Sequence, residues 1–217
     1  QKHALFPRFQ TVFHTVLLLL AVALVTYEGA WWIYKKLGLQ SSWLFIWFAI
    51  PATLTLWLII KAKLWPFSRY QEGFRRYSGS ILAVLLALWS FGALIGKGTS
   101  DPLPWIPVLN PLDIMVLIIF ITLFKWWQST NSFSFSNQNA NSLISTEASN
   151  KRMIFNKRMF VMGFSALAFL WLNFTLFRVA YHWFNVPFTA DAMYDSSLVQ
   201  TSVSILWAFS GVLLTLF

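Results

Sequence analysis

"TVFHTVLLLLAVALVTYEGAWWIY", residues 11–34, holds one charged side chain, Glu28, among leucines, valines, alanines and aromatics. A run of this length crosses a hydrocarbon core about 30 Å thick, which takes roughly 17–25 helical residues. Five further runs of the same kind lie at about 42–60, 79–95, 112–127, 158–178 and 197–217. None alternates polar and apolar residues as a barrel strand does, and a backbone in lipid must satisfy its own hydrogen bonds, so each run reads as a helix. With 58% hydrophobic and only 11% charged residues, against about 25% charged in soluble domains, the chain lacks the polar surface to stay in water. The fold class that follows is an all-α, polytopic transmembrane helix bundle of about six spans.

The basic residues sort onto two sides of such a bundle. Lys2, Arg8, Lys61, Lys63, Arg69, Arg75, Arg76, Lys125, Lys151, Arg152, Lys157 and Arg158 fall on one side, twelve in all, against four on the other, Lys35, Lys36, Lys97 and Arg178. An odd number of spans would destroy this partition. The positive-inside rule then predicts both termini in the cytoplasm and outward connections at about 35–41, 96–111 and 179–196. In a bacterium this is the inner (plasma) membrane. The net charge of +9 is thereby assigned to topology, and no nucleic-acid partner is implied.

The spans group as 1–127, carrying spans 1–4, and 151–217, carrying spans 5 and 6. Between them, 128–150 is rich in Ser and Asn with little charge, which reads as a flexible polar linker. Near 66–78, Phe67, Tyr70, Phe74 and Tyr77 recur at helical spacing among arginines. That pattern predicts an interfacial amphipathic helix whose Arg69, Arg75 and Arg76 sit among anionic lipid head groups. Trp31, Trp32, Trp43, Trp65, Trp126 and Trp127 fall at span ends, as an aromatic belt requires. In the last span Ser204, Ala208 and Gly211 form a stripe of small residues suited to close packing by a partner helix.

"DPLPWIPVLNPLD", 101–113, combines prolines with Leu, Trp, Ile and Val. Spans 3 and 4 have about sixteen strongly apolar residues each, roughly 24 Å of helix, short of a 30 Å core. The segment is therefore expected to make up the deficit, as a non-helical, re-entrant-like outer loop over 101–111 anchored by Trp105. Asn110-Pro111-Leu112-Asp113 then reads as an N-cap, a proline in the first turn and an acid at the positive end of the helix dipole.

Ionisable groups at membrane depth are costly and are functional candidates by default. Glu28, Asp113, Arg178 and His182 are all expected near the outer interface, as a candidate polar cluster. Trp105, Asn110, Asp191 and Asp195 are the candidates in the adjoining loops. Each has a plainer explanation: capping for Asn110 and Asp113, snorkelling or helix pairing for Arg178, an interfacial ring for His182. Glu28 follows an unbroken apolar run and so requires a partner or a water-filled cavity. No catalytic set emerges: there is no cysteine, no HExxH zinc site and no Gly-x-Ser-x-Gly elbow, and "GALIGKGTS" departs from the phosphate-loop order. No metal and no cofactor are implied.

At "PWIPVLNPLD" and at "FRVAYHWFNVPFTADAMYDSSLVQTSVSILWAFSGVLL" the chain resembles a family of large bacterial multi-spanning inner-membrane proteins known only as a domain of unknown function. The similar stretches lie toward the C-terminal part of such proteins. The likeness implies a polytopic location and a piece of a longer array; the chain's start at Gln1 fits that expectation. Relatives tend to carry paired histidines where this chain has Tyr181-His182, so a two-imidazole metal or proton relay is not carried over.

Three functions are compatible with this sequence. The first is a non-enzymatic membrane component that moves or accommodates an envelope molecule, motivated by two short spans flanking a Gly/Pro-interrupted segment. The second is a structural or assembly subunit whose buried charges only pair helices. The least favoured is an enzyme acting on a lipid-linked substrate at the outer leaflet, with His182 as base and Asp191 or Asp195 orienting it.

Overall fold

The structure, a computed structural model, describes residues 5–38, 42–61, 73–139 and 146–216. Those residues form seven α-helices and no strand: α1 (Leu5–Leu37), α2 (Ser42–Lys61), α3 (Gly79–Ile95), α4 (Pro111–Asn139), α5 (Thr146–Phe184), α6 (Ala190–Asp195) and α7 (Ser197–Leu216). Five stretches are long and apolar enough to cross a membrane: Val12–Leu37, Ser42–Lys61, Phe74–Ile95, Pro111–Thr130 and Val161–Phe184. A shorter apolar stretch, Ser197–Leu213, belongs to α7. The chain is a polytopic helical membrane protein.

Lipid tails are as apolar as leucine, so helices in a membrane are held by packing and interhelical hydrogen bonds more than by the hydrophobic effect. α2 supplies the centre of that packing and touches α1, α3 and α4. Its Ala49, Ala52, Leu56 and Ile59 join Leu82 and Leu86 of α3 and Val116 and Ile119 of α4 in one buried cluster. Two indoles pin the neighbours, Trp47 donating to the Thr26 carbonyl at 3.0 Å and Trp89 to the Phe45 carbonyl at 2.9 Å. Contacts of this kind contribute roughly 0.6–2 kcal/mol each in a membrane. α7 packs on α5, where the Trp207 indole donates to Asn173 Oδ1 at 2.8 Å.

The entry to the third span departs from expectation. Residues 62–72, with Trp65, Arg69 and most of the expected interfacial helix, lie outside the described residues. From Gly73 onward the backbone is already helical, and Phe74–Ser78 is a π-helical turn that runs directly into α3. The Gly79 N–H bonds the Phe74 carbonyl, and the Arg75 carbonyl accepts instead from the Trp126 indole at 3.3 Å. Phe74 and Arg75 are buried, and Arg75 Nη1 donates to the Ser129 carbonyl at 3.2 Å. Arg75 is therefore buried against the fourth span, while Arg76 is exposed.

This turn removes the expected shortfall of span 3, and a longer C-terminal end removes that of span 4. With Phe74–Ser78 added, the third span has 22 residues, and the fourth, Pro111–Thr130, has 20, about 33 and 30 Å of helix. The arginines of one and the Trp126–Thr130 end of the other disguised their lengths. Helical backbone continues from the fourth span through 128–139, up to Asn139. Residues 140–145 lie outside the described residues.

Candidate functional site

The last turn of any helix leaves carbonyls without intrahelical partners, and at membrane depth water does not supply them. At the end of α3 one side chain from another helix does so. Arg178 of α5 donates through Nε to the Gly96 carbonyl at 3.0 Å, and through Nη2 to the Leu94 carbonyl at 3.2 Å and to the Ala93 carbonyl. Its Nη1 pairs with Asp113 Oδ1. The fork of a guanidinium is the only side-chain geometry that reaches all four acceptors.

Asp113 lies in the first turn of α4, where the helix dipole favours an anion. Asn110 caps that helix: its Oδ1 accepts the Asp113 N–H at 3.0 Å, and its Nδ2 donates to Asp113 Oδ2. Trp171, two turns before Arg178 on the same face of α5, donates its indole N–H to Asp113 Oδ1 at 3.0 Å. Arg178 and Asp113 have 0% exposure and Asn110 1%. The cluster is thus closed to solvent, and every polar atom named in it has a partner.

One turn beyond Arg178, His182 continues the same stitching. Its Nε2 stands 2.9 Å from the Lys97 carbonyl and, since that oxygen only accepts, carries the hydrogen. The imidazole stacks on Trp105, with centroids 4.4 Å apart and planes 16° from parallel, and Trp183 meets Trp105 edge-on at 6.0 Å. Gly98 between them has φ +65°, and a Cβ there would stand 3.3 Å from Arg178 Cδ and Nε. A glycine is what lets the loop close over the guanidinium. The segment 96–110 is non-helical. It is tied to α2 by Trp43, which donates to the Asp101 carbonyl at 2.8 Å, and by Ser42 bonding Thr99 at 3.0 Å.

The structure therefore brings together Asp113, Arg178, His182, Asn110 and Trp105. Glu28 stands apart. It is exposed on α1, and its neighbour Gly29 faces α2, where a Cβ would fall 2.1 Å from the Trp47 ring. Asp191 and Asp195 are exposed on α6, whose N-cap is Thr189. No hydrogen bond links either aspartate to His182 among the described residues. Nor, among them, do three His, Asp or Glu side chains gather as a metal-ligand set. Trp171 and Gly98 were not singled out by sequence reading. The seven-residue spacing of Trp171 from Arg178 was the available signal for one, and the G-K-G after an apolar run was the signal for the other.

Beside this cluster lies a cavity of about 790 Å³ that Gly96 and Lys97 help to line. Phe174, Phe177, Met193 and Val203 line its apolar part, and Lys97, Thr189, Tyr194 and Gln200 supply polar groups. A second cavity of about 710 Å³ lies between α1, α2 and α3, with an almost wholly apolar lining.

No curated protein and no solved structure matches this chain. A family model does, over residues 1–217, well beyond the two stretches that carried the resemblance in sequence. A chain built of apolar spanning helices fits its description: this protein belongs to the family described as Predicted membrane protein (DUF2339).

Proposed function

We propose that the protein accommodates an amphiphilic molecule of the cell envelope at the outer leaflet of the bacterial inner membrane, with both termini cytoplasmic. The observation that carries this reading is the 790 Å³ cavity, polar at Lys97 and Thr189 and apolar at Phe177 and Val203. Its size falls in the roughly 300–1,000 Å³ range of small-molecule sites. The sealed Arg178–Asp113 cluster serves as scaffold in this reading: its donors and acceptors are already paired, so it has nothing left to offer a ligand. In a transport role the same cavity holds the cargo at one stage of its passage.

The test is retention of lipid by the purified full chain, measured by native mass spectrometry after detergent exchange. Val203→Trp fills the apolar part of the cavity and is expected to remove bound lipid while size-exclusion behaviour and helical circular dichroism stay unchanged. Equal lipid retention by the wild type and a folded variant overturns the proposal.

A second reading, assembly with another membrane protein, is favoured by α7. Ser204, Ala208 and Gly211 are all exposed, and a Cβ at Gly211 meets nothing within 4 Å. The anionic-lipid role of Arg69, Arg75 and Arg76 and the division of the chain at 128–150 belong to the same proposal.

A further inference from the structure

The cavity beside the buried ion pair has an asymmetric lining that narrows what it takes. Lys97 is the one basic residue among its lining residues, and no carboxylate is among them. The Lys97 ammonium lies 5.6 Å from the Tyr181 ring centroid, and no carboxylate pairs with it among the described residues. Asp191 and Asp195, the nearest acids in sequence, are exposed on α6 outside the lining. Thr189 Oγ1 accepts from the Ala192 N–H, which leaves its hydroxyl hydrogen to donate. The Tyr194 hydroxyl is also a donor, on a side chain that is 78% exposed. The polar part of the cavity therefore presents a positive charge and two hydroxyl donors beside the Gln200 amide, whose Nε2 bonds the Tyr194 carbonyl at 2.6 Å, while its floor is aromatic and aliphatic.

We propose that this cavity holds a phosphate-bearing membrane lipid, with Lys97 and the Thr189 and Tyr194 hydroxyls on the phosphate, the acyl chain against Phe174, Phe177 and Val203, and His182 as a positioning residue. The inference rests on the proposed function and adds the head-group chemistry. A phosphate diester offers unprotonated oxygens to three donors and pairs with Lys97, the exposed cation of the lining, whereas an uncharged head group makes no charge-assisted bond there. The geometry of Lys97 is not left to its own flexibility. Its carbonyl is held by His182 Nε2, the preceding carbonyl by Arg178 Nε, and the following glycine packs against the Arg178 side chain. Three consecutive residues are thus fixed from the α5 side, at the edge of the cavity that Lys97 helps to line.

The experiment uses the full chain reconstituted in phosphatidylcholine vesicles with trace photoreactive probes that share one diazirine-bearing acyl chain. One probe is phosphatidylglycerol and the other is diacylglycerol without a head group. Crosslinks are mapped by peptide mass spectrometry to the segments containing Phe177 and Met193. The wild type is expected to label with phosphatidylglycerol about five-fold more than with diacylglycerol, the scale of one partly exposed charge pair.

Lys97→Ala is expected to abolish that preference while diacylglycerol labelling persists. His182→Ala is expected to reduce the preference without changing diacylglycerol labelling, and His182→Gln, which keeps a donor, to restore part of it. Equal labelling by the two probes in the wild type, or an undiminished preference in Lys97→Ala, overturns the head-group proposal and leaves the amphiphile reading standing. Loss of the preference on adding inorganic phosphate assigns the site to a free anion and also overturns it. Absence of any cavity label from either probe overturns both readings.

Discussion

Asp113 and Glu28 are both carboxylates set in apolar helical sequence, and the protein treats them in opposite ways. Asp113 is fully buried and receives bonds from Arg178, Trp171 and Asn110. Glu28 is exposed on α1, and none of the described residues pairs with it. The difference lies in what stands next to each. Asp113 is three residues past a cap, at a helix N-terminus, opposite the carbonyl end of α3. Glu28 is in the middle of a helix whose inward face is taken by Gly29 and Thr26. Apolar helical sequence is common to both; the side of the helix decides which one becomes structural.

The strongest way to break this contrast is at Arg178. Arg178→Gln leaves Asp113 as an uncompensated buried anion and frees the carbonyls of Ala93, Leu94 and Gly96, which costs about 3–5 kcal/mol by analogy with other buried pairs. The expected outcome is a loss of thermal stability larger than Gly29→Ala or Glu28→Gln produces, measured in detergent by a dye-free unfolding scan. Arg178→Lys restores the countercharge to Asp113 but not the reach to three carbonyls, and is expected to recover only part of the loss. Full recovery by lysine contradicts the carbonyl-capping role, since charge pairing alone then suffices.

Gly29→Ala sharpens the comparison from the other side. The added methyl would stand 2.1 Å from the Trp47 ring, so either α1 backs away from α2 or the indole leaves the Thr26 carbonyl. Overpacking of this kind costs about 1–3 kcal/mol. The variant is expected to unfold earlier than the wild type and to expose Trp47 to an aqueous or lipid-phase fluorescence quencher. An unchanged melting temperature would show that the α1–α2 contact is looser than the packing of Gly29 implies.

Much of this was legible in the sequence, and the reason is geometric. Apolar run length depends on one coordinate, position along the chain, and sequence order encodes it directly. The cap at Asn110 and Asp113 was legible because it is local: four consecutive residues carry the whole motif. Helix pairing was one reading of Arg178, and sequence could go no further, because 65 residues separate it from Asp113 and helix rotation is not written in hydropathy. The π turn at Phe74–Ser78 was missed for a related reason. Arg75 reads as surface by residue type, yet it is buried because Ser129 and Trp126 of another helix meet it.

The smallest effect is expected at Glu28, the residue that depth alone made most suspicious. Gln keeps the size and removes the charge. Because the carboxylate is exposed and shares no bond with the described residues, Glu28→Gln is expected to leave the melting temperature unchanged within error. Its neighbour Gly29, one residue along and about 100° round the helix, is expected to be sensitive to a single methyl. A marked destabilisation by Glu28→Gln reverses that order and requires a partner for the carboxylate within the folded chain. Destabilisation seen only in the membrane-reconstituted protein, and not in detergent, places that partner in the bilayer or on another molecule. The pair of adjacent substitutions thus reports which side of α1 the protein uses, the one fact about this span that its sequence leaves open.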